Sequence, residues 1–255
     1  ALSEDGTVAL ADQGTAFTDD GRYLAWAAAS GGSDWRTWRV REVATGRDLP
    51  DVVRWSKFST AAWKKDGSGF YYSRYPEPVD AEKFQSLNMN QAVYFHRLGT
   101  SQAEDAPVFS SPDNPEWGYS AEVSDDGAHL VITVWKGTDD RYQILHRDLT
   151  DDASELRFII EGFDNDYTFV GSVGNELFFR TNTDAPRNRL IAIDPMNPAP
   201  EDWREVIPES DDVLDGVSLV GGRIIADYMQ DAQTVVKIFG LDGRQTGTVD
   251  LPGIG

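Results

Sequence analysis

Apolar residues fall into short runs separated by polar turns along the whole chain, and the spacing of those runs repeats. From Phe17 to Leu49, a turn carrying Asp20-Gly21 leads into the apolar run Tyr23 to Ala28. A Gly-rich loop follows, then the alternating stretch Thr37 to Val43, the tight turn Ala44-Thr45-Gly46, and a short segment at Asp48-Leu49. Period-two alternation bounded by such turns predicts antiparallel strands joined by hairpins, with Gly where the chain needs a positive φ. The plan returns at Asp66-Gly67, Asp126-Gly127, Gly174-Asn175 and Gly221-Gly222, each before a strand-like run such as GFYYSR, HLVITVW, ELFFRT or RIIADYM. The turn positions 20, 66, 126, 174 and 221 are 46, 60, 48 and 47 residues apart, and the longest interval holds the insertion Tyr75 to Asn90. A period in the forties with about four strands per copy predicts an all-β chain, a β-propeller of four-stranded antiparallel blades. About five blades are expected across residues 1–255, with repeats near 17–55, 58–110, 117–161, 166–208 and 213–251. A β-sandwich does not normally group its strands into near-identical fours, and a β-solenoid usually has shorter coils.

Between the repeats the reading is coarser. Residues Ala1 to Ala16 read as a connecting segment, not a full blade. The insertion has two early Pro and a short helical turn at Asp80 to Phe84, and an excursion of that length suits a lid or a contact surface. The connection Pro50 to Trp63 places Phe58 among polar neighbours, where the residues alone suggest a core aromatic under a loop.

Composition narrows the partners. Hydrophobic residues make up 40% of the chain and eight Trp are present, a globular composition. Lys and Arg number 23 against 43 Asp and Glu, and the net charge of −20 opposes nucleic acid and anionic membrane surfaces. The acidic residues gather in turns (Asp19-Asp20, Asp125-Asp126, Asp151-Asp152), where Asx bonding and solvation account for them. There is no Cys, hence no disulfide, thiolate metal site or Cys nucleophile. No apolar run is long enough to span a bilayer, so a soluble chain in the cytoplasm or periplasm is expected. Because it begins and ends within repeat-like sequence, the chain is also expected to be part of something longer.

Catalytic patterns are absent. There is no Gly-x-Ser-x-Gly elbow and no phosphate-binding Gly loop, so neither a catalytic set nor a cofactor is expected. His96, His129 and His146 lie in strand patterns without metal spacing and read as packed or surface strand residues. Asp164-Asn165-Asp166 lacks the Gly and closing Glu of a calcium loop and reads as a turn, so no metal site is expected.

An ordered series of short elements nonetheless resembles one family. Gly31-Gly32-Ser33-Asp34-Trp35, Leu49-Pro50-Asp51, Lys57-Phe58-Ser59, Ala62-Trp63, Phe70-Tyr71 and Tyr75-Pro76 are similar to the propeller of prolyl oligopeptidase. So are Tyr94 to Thr100, Ala121 to Gly127, Arg180-Thr181-Asn182, Arg189 to Asp194 and Val206 to Glu209. The resemblance implies a two-domain serine peptidase cleaving short proline-containing peptides after proline. In that family a seven-bladed propeller caps an α/β-hydrolase domain that carries the Ser-Asp-His triad. This chain would then supply about five blades, no catalytic residue and none of the hydrolase domain, and it would restrict access to oligopeptides. The alternative reading is a free-standing propeller that binds a peptide or protein without catalysis.

The resemblance also implies site residues. Phe58 falls on a propeller Phe lining the apolar subsite beyond the proline pocket. Gly118 and Thr138 fall where the family carries a Met and a Cys, which implies a smaller and more polar subsite here. Asp34 falls on an Asp at the interface with the hydrolase domain, where it would pair with an Arg.

Overall fold

The computed structural model describes residues 7–31, 33–78, 88–251 and 253. It is built of five four-stranded antiparallel sheets, the blades of a β-propeller. The first sheet is β1 (Val8–Phe17), β2 (Tyr23–Ser30), β3 (Arg36–Glu42) and β4 (Arg47–Ser56). The second is β5 (Ala62–Trp63), β6 (Gly69–Arg74), β7 (Ala92–Arg97) and β8 (Ala106–Phe109). The third comprises β9 (Trp117–Val123), β10 (His129–Lys136), β11 (Gln143–Asp148) and β12 (Arg157–Ile160). The fourth has β13 (Tyr167–Val173), β14 (Glu176–Thr181), β15 (Arg189–Ile193) and β16 (Arg204–Ile207). The fifth has β17 (Val213–Val220), β18 (Arg223–Gln230), β19 (Gln233–Gly240) and β20 (Gln245–Val249).

Compact packing divides the chain into two units, Ala1–Asp139 with Arg147–Glu155, and Asp140–His146 with Leu156–Gly255. The core of the first unit gathers Ala25, Ala27, Trp38, Val40, Val53, Phe70 and Tyr72 from alternate positions of the first two sheets. In the second unit Phe178, Leu190, Ile207, Leu214, Ile224 and Tyr228 do the same for the fourth and fifth sheets. Burying one such aliphatic or aromatic side chain stabilises a fold by roughly 1.5–3 kcal/mol, so these faces set the strand register.

The repeated turns have a shared chemistry. Asp20 Oδ1 accepts bonds from the Thr18 hydroxyl at 2.7 Å and the Arg22 N–H at 2.9 Å, and Gly21 follows at φ 66°. Asp126 repeats this with Ser124 and Ala128, followed by Gly127 at φ 75°. Hydrogen bonding to the ionised form holds the Asp20 carboxyl below its usual range, and Asp66 is lowered likewise through Ser68. At these turns the aspartates therefore serve the backbone.

The N-terminal segment departs from expectation. Residues Ala1 to Ala16 read as a connection, but Val8–Phe17 is a strand paired with β2, so the first sheet has all four strands. The alternation was hidden by a bulge: the register shifts between Leu10 and Thr15, with Gln13 at φ 49°. A Cβ on Gly14 would stand 2.6 Å from the Ala11 carbonyl oxygen, so the bulge needs a glycine there. The helical turn expected at Asp80 to Phe84 lies outside the described residues. Among the described residues, no helix is long and apolar enough to cross a membrane.

Candidate functional site

In an up-and-down antiparallel sheet, the loop between the second and third strands and the exit from the fourth share one end. Asp34 lies in the β2–β3 loop and Phe58 follows β4, so both stand at that end of the first sheet. Gly118 is the second residue of β9 and Thr138 follows β10, which places them at the corresponding end of the third. All four belong to the first compact unit.

Phe58 is not a core aromatic. It is 45% exposed and adopts φ 51°, a left-handed conformation that is unfavourable for residues bearing a Cβ. Its neighbours are the reverse: Ser56, Lys57 and Ser59 are polar yet buried. Ser56 Oγ donates to the Ser73 carbonyl at 2.9 Å and accepts from Trp38 Nε1 at 3.2 Å. Ser59 Oγ accepts the Ser73 N–H at 2.8 Å, while Arg36 Nη1 donates to the Ser59 carbonyl at 2.9 Å. The sequence Ser-Lys-Phe-Ser thus folds with its polar members turned inward onto β3 and β6 and its one aromatic turned out.

Lys57 carries the electrostatics. Its ammonium lies 4.0 Å from the Trp35 ring centroid and donates to Asn88 Oδ1 at 3.1 Å. Burial pushes its pKa below the usual range, and the carboxylate of Asp34 opposes that shift. Asp34 therefore stands within electrostatic reach of the residue next to Phe58, while remaining itself exposed. Trp35 packs edge-on to Trp55 at 5.8 Å and to Tyr75 at 6.2 Å, and Trp55 is also left-handed at φ 64°.

Gln91 joins this connection to the third sheet. Its Nε2 donates to the Lys57 carbonyl at 3.0 Å, and its Oε1 accepts the Tyr119 N–H at 2.6 Å. Phe58 and Gly118 are thereby brought into one framework. Gly118 leaves no void in its place. It pairs across the strands with Trp135, and a Cβ there would stand 2.3 Å from Trp135 Cε2. The half-buried indole occupies the space a side chain would need, so the surface at this position is aromatic. Thr138 is exposed in the turn after β10, beside Gly137 at φ 60°.

The histidines lie elsewhere. His129 and His146 are buried in strands of the third sheet. His96 on β7 is fully buried, with Nδ1 2.7 Å from Asp105 Oδ1 and Nε2 3.1 Å from Asp51 Oδ1. Asp105 also accepts the Tyr72 hydroxyl at 2.6 Å, and Asp51 accepts the Gly99 N–H at 2.5 Å. Both ring nitrogens face carboxylates, so both donate and the ring is an imidazolium. Burial works against the charge, but the bonds to Asp105 and Asp51 outweigh it and raise the pKa to about 9. Among the described residues no His, Asp and Glu group is arranged to hold a metal, and Asp166 pairs with Arg180 at 3.3 Å.

Lys57, Gln91, Trp135 and the His96 cluster were not singled out in the sequence as functional or structural centres. Trp135 had a readable signal, since a large aromatic across from a strand Gly commonly covers it. Gln91 had none.

Comparison with known proteins supplies the context for this framework. Residues 1–255 match the family described as "Prolyl oligopeptidase, N-terminal beta-propeller domain". The prolyl endopeptidase of Elizabethkingia meningoseptica is 32% identical over 254 residues, covering 100% of this chain and 35% of the relative. The dual function macrocyclase-peptidase POPB of Galerina marginata is 34% identical over 90% of this chain and 33% of its own length. A solved prolyl endopeptidase, from a study of inter-domain dynamics in catalysis and specificity, superposes with a TM-score of 0.88 at 38% identity over 98% of this chain and 35% of its own. Prolyl oligopeptidase B from Galerina marginata, bound to a 35-mer hydrolysis and macrocyclization substrate, gives a TM-score of 0.88 at 28% identity over 100% of this chain and 37% of its own. The chain thus spans about a third of the length of the relatives it matches.

Proposed function

The chain belongs to the prolyl oligopeptidase family, in its N-terminal β-propeller domain, and on that premise we propose that it is the substrate-binding and substrate-gating part of a serine peptidase that cleaves short peptides after proline. The nucleophile, base and orienting acid belong to an α/β-hydrolase domain of the same polypeptide, and this chain contributes no catalytic residue. Its work is to bind and to exclude: blades over the catalytic site admit oligopeptides and turn folded proteins away.

Phe58 offers an aromatic face to an apolar substrate residue beyond the proline. The observation that carries this reading is the exposed, left-handed Phe58 seated on buried polar anchors. Strain held by surrounding structure is a mark of ligand-contacting positions. Gly118, with Trp135 over it, and Thr138 complete that subsite, making it more aromatic on one side than the residue types alone imply. Asp34 faces the hydrolase domain and pairs there with an Arg, an ion pair of about 0.5–2 kcal/mol at a partly wet interface.

The test is kinetic, on the full polypeptide carrying this domain. Phe58→Ala should lower kcat/KM for peptides with an apolar residue beyond the proline by roughly 1–3 kcal/mol of transition-state binding, and should affect minimal proline substrates far less. Equal losses on both substrate types would remove Phe58 from the subsite. A full polypeptide with no proline-directed hydrolysis would instead leave a propeller that binds peptide or protein without cleaving it.

A further inference from the structure

Gln91 lies between β6 and β7, is 2% exposed, and is held at both ends of its amide. One bond ends on the carbonyl of the residue before Phe58, the other on the N–H of the residue after Gly118. The first has a direct conformational consequence. The φ of a residue relates its preceding peptide plane to its own Cα–C bond, so holding the Lys57 carbonyl, with Ser59 held on the other side by Arg36 and Ser73, restrains φ at Phe58. That φ is 51°, a value a side chain with a Cβ leaves readily when nothing holds it. A released plane would be free to rotate toward negative φ, and the ring would move with it. The second bond ties the same amide to β9, so the ring is located relative to the Gly118–Trp135 pair and not merely held still.

We propose that Gln91 is a positioning residue that sets the preference for an apolar substrate residue beyond the proline by fixing the left-handed conformation of Phe58. The proposal rests on the reading of Phe58 as a substrate contact. Gln91 touches no substrate and acts through the Lys57–Phe58 peptide plane.

The test measures one ratio in the full polypeptide, kcat/KM for a peptide with an apolar residue beyond the proline over kcat/KM for a minimal proline substrate. Gln91→Met keeps the volume and loses both bonds, of which the one to the Lys57 carbonyl carries the effect, and should lower the ratio by about five-fold, the loss expected of that one hydrogen bond. Gln91→Glu keeps the acceptor for Tyr119 N–H but loses the donor to the Lys57 carbonyl, and should lower the ratio as well. In a Phe58→Ala background neither change should lower it further, because the ring they position is gone. A ratio unchanged in both Gln91 variants, with Phe58→Ala still lowering it, would overturn the positioning role alone. An equal fall with and without Phe58 would do the same, since Gln91 would then be a packing residue. A ratio unmoved by Phe58→Ala would sink the reading of Phe58 itself, and the role of Gln91 with it.

Discussion

The Phe58 connection and the His96 cluster are made of the same material, buried polar side chains, and do opposite things with it. Around His96 everything charged is turned inward: the imidazolium, Asp51 and Asp105 are all essentially unexposed, with Tyr72 and Gly99 donating to the carboxylates. Around Phe58, Ser56, Lys57 and Ser59 are turned inward so that one apolar residue can be turned out. An Asp-His pair at 2.7 Å looks like part of a catalytic relay, but a relay needs a nucleophile and a path for substrate, and a fully buried ring has neither. The lesson is that burial of polar groups is neutral evidence. What differs is that one set holds an exposed residue at positive φ, while the other only satisfies itself.

The largest effect that could break this distinction concerns His96. Its two carboxylates come from β4, as Asp51, and from Asp105, just before β8, so the ring ties the first sheet to the second. His96→Ala leaves those carboxylates buried without their counter-charge, and should cost about 3–5 kcal/mol of unfolding free energy in chemical denaturation. The pH dependence has a definite sign. A His whose pKa is about 9 when folded and 6.5 when unfolded stabilises fully below 6.5, and loses that contribution as pH rises through 9. The stability gap between wild type and His96→Ala should therefore be widest at and just below pH 6.5, shrink as pH rises, and be narrow above pH 9. A gap that stays constant across that range would mean the ring is held neutral. A His96→Ala protein that is stable but has lost its preference among peptides would place the cluster in the site after all.

How much of this could be read from the sequence follows the same division. The strands after each Asp-Gly or Gly-Asn turn were legible because alternation and turn chemistry act locally. β1 was not, because the bulge at Gln13-Gly14 breaks the period that would reveal it. The exposure of Phe58 was not legible, since the residues alone suggested a core aromatic under a loop, and its proposed subsite role comes from the resemblance. The partners of its neighbours, Trp38 on β3, Ser73 on β6 and Gln91 just before β7, are far from them in the chain, and no spacing rule links them to residue 58. His96 and Asp105 are nine residues apart and Asp51 is 45 away, so their meeting is a product of sheet packing.

Gly118 offers a smaller effect on the side of the proposed subsite. If the indole of Trp135 fills the place of the missing side chain, Gly118→Met must displace it, because even the first added carbon meets the ring at 2.3 Å. Such overpacking should cost roughly 1–3 kcal/mol and shift the tryptophan emission or near-ultraviolet dichroism. Unchanged stability with unchanged Trp signals would show that the ring yields freely, and that the surface beside Phe58 is soft.

The smallest effect is also the most specific. A non-Gly residue in the left-handed region costs about 1–2 kcal/mol, and Phe58 bears that cost at φ 51°. Glycine adopts the conformation freely, but its unfolded chain has more freedom to lose, an offset of roughly 0.5–1 kcal/mol. With a ring 45% exposed, little packing is lost, so Phe58→Gly should leave stability unchanged or raise it by up to about 1 kcal/mol. Phe58→Ala keeps the unfavourable φ without the ring and should be the less stable of the two, so comparing them in chemical denaturation isolates the backbone cost. Preference for an apolar residue beyond the proline should fall in both variants. A protein that becomes more stable when a residue is removed, and less selective at the same step, holds that residue for its ligand. If Phe58→Gly instead lost well over 1 kcal/mol, the ring would be packing as core does, and the Phe58 connection would belong with the His96 cluster among the devices that hold the sheets together.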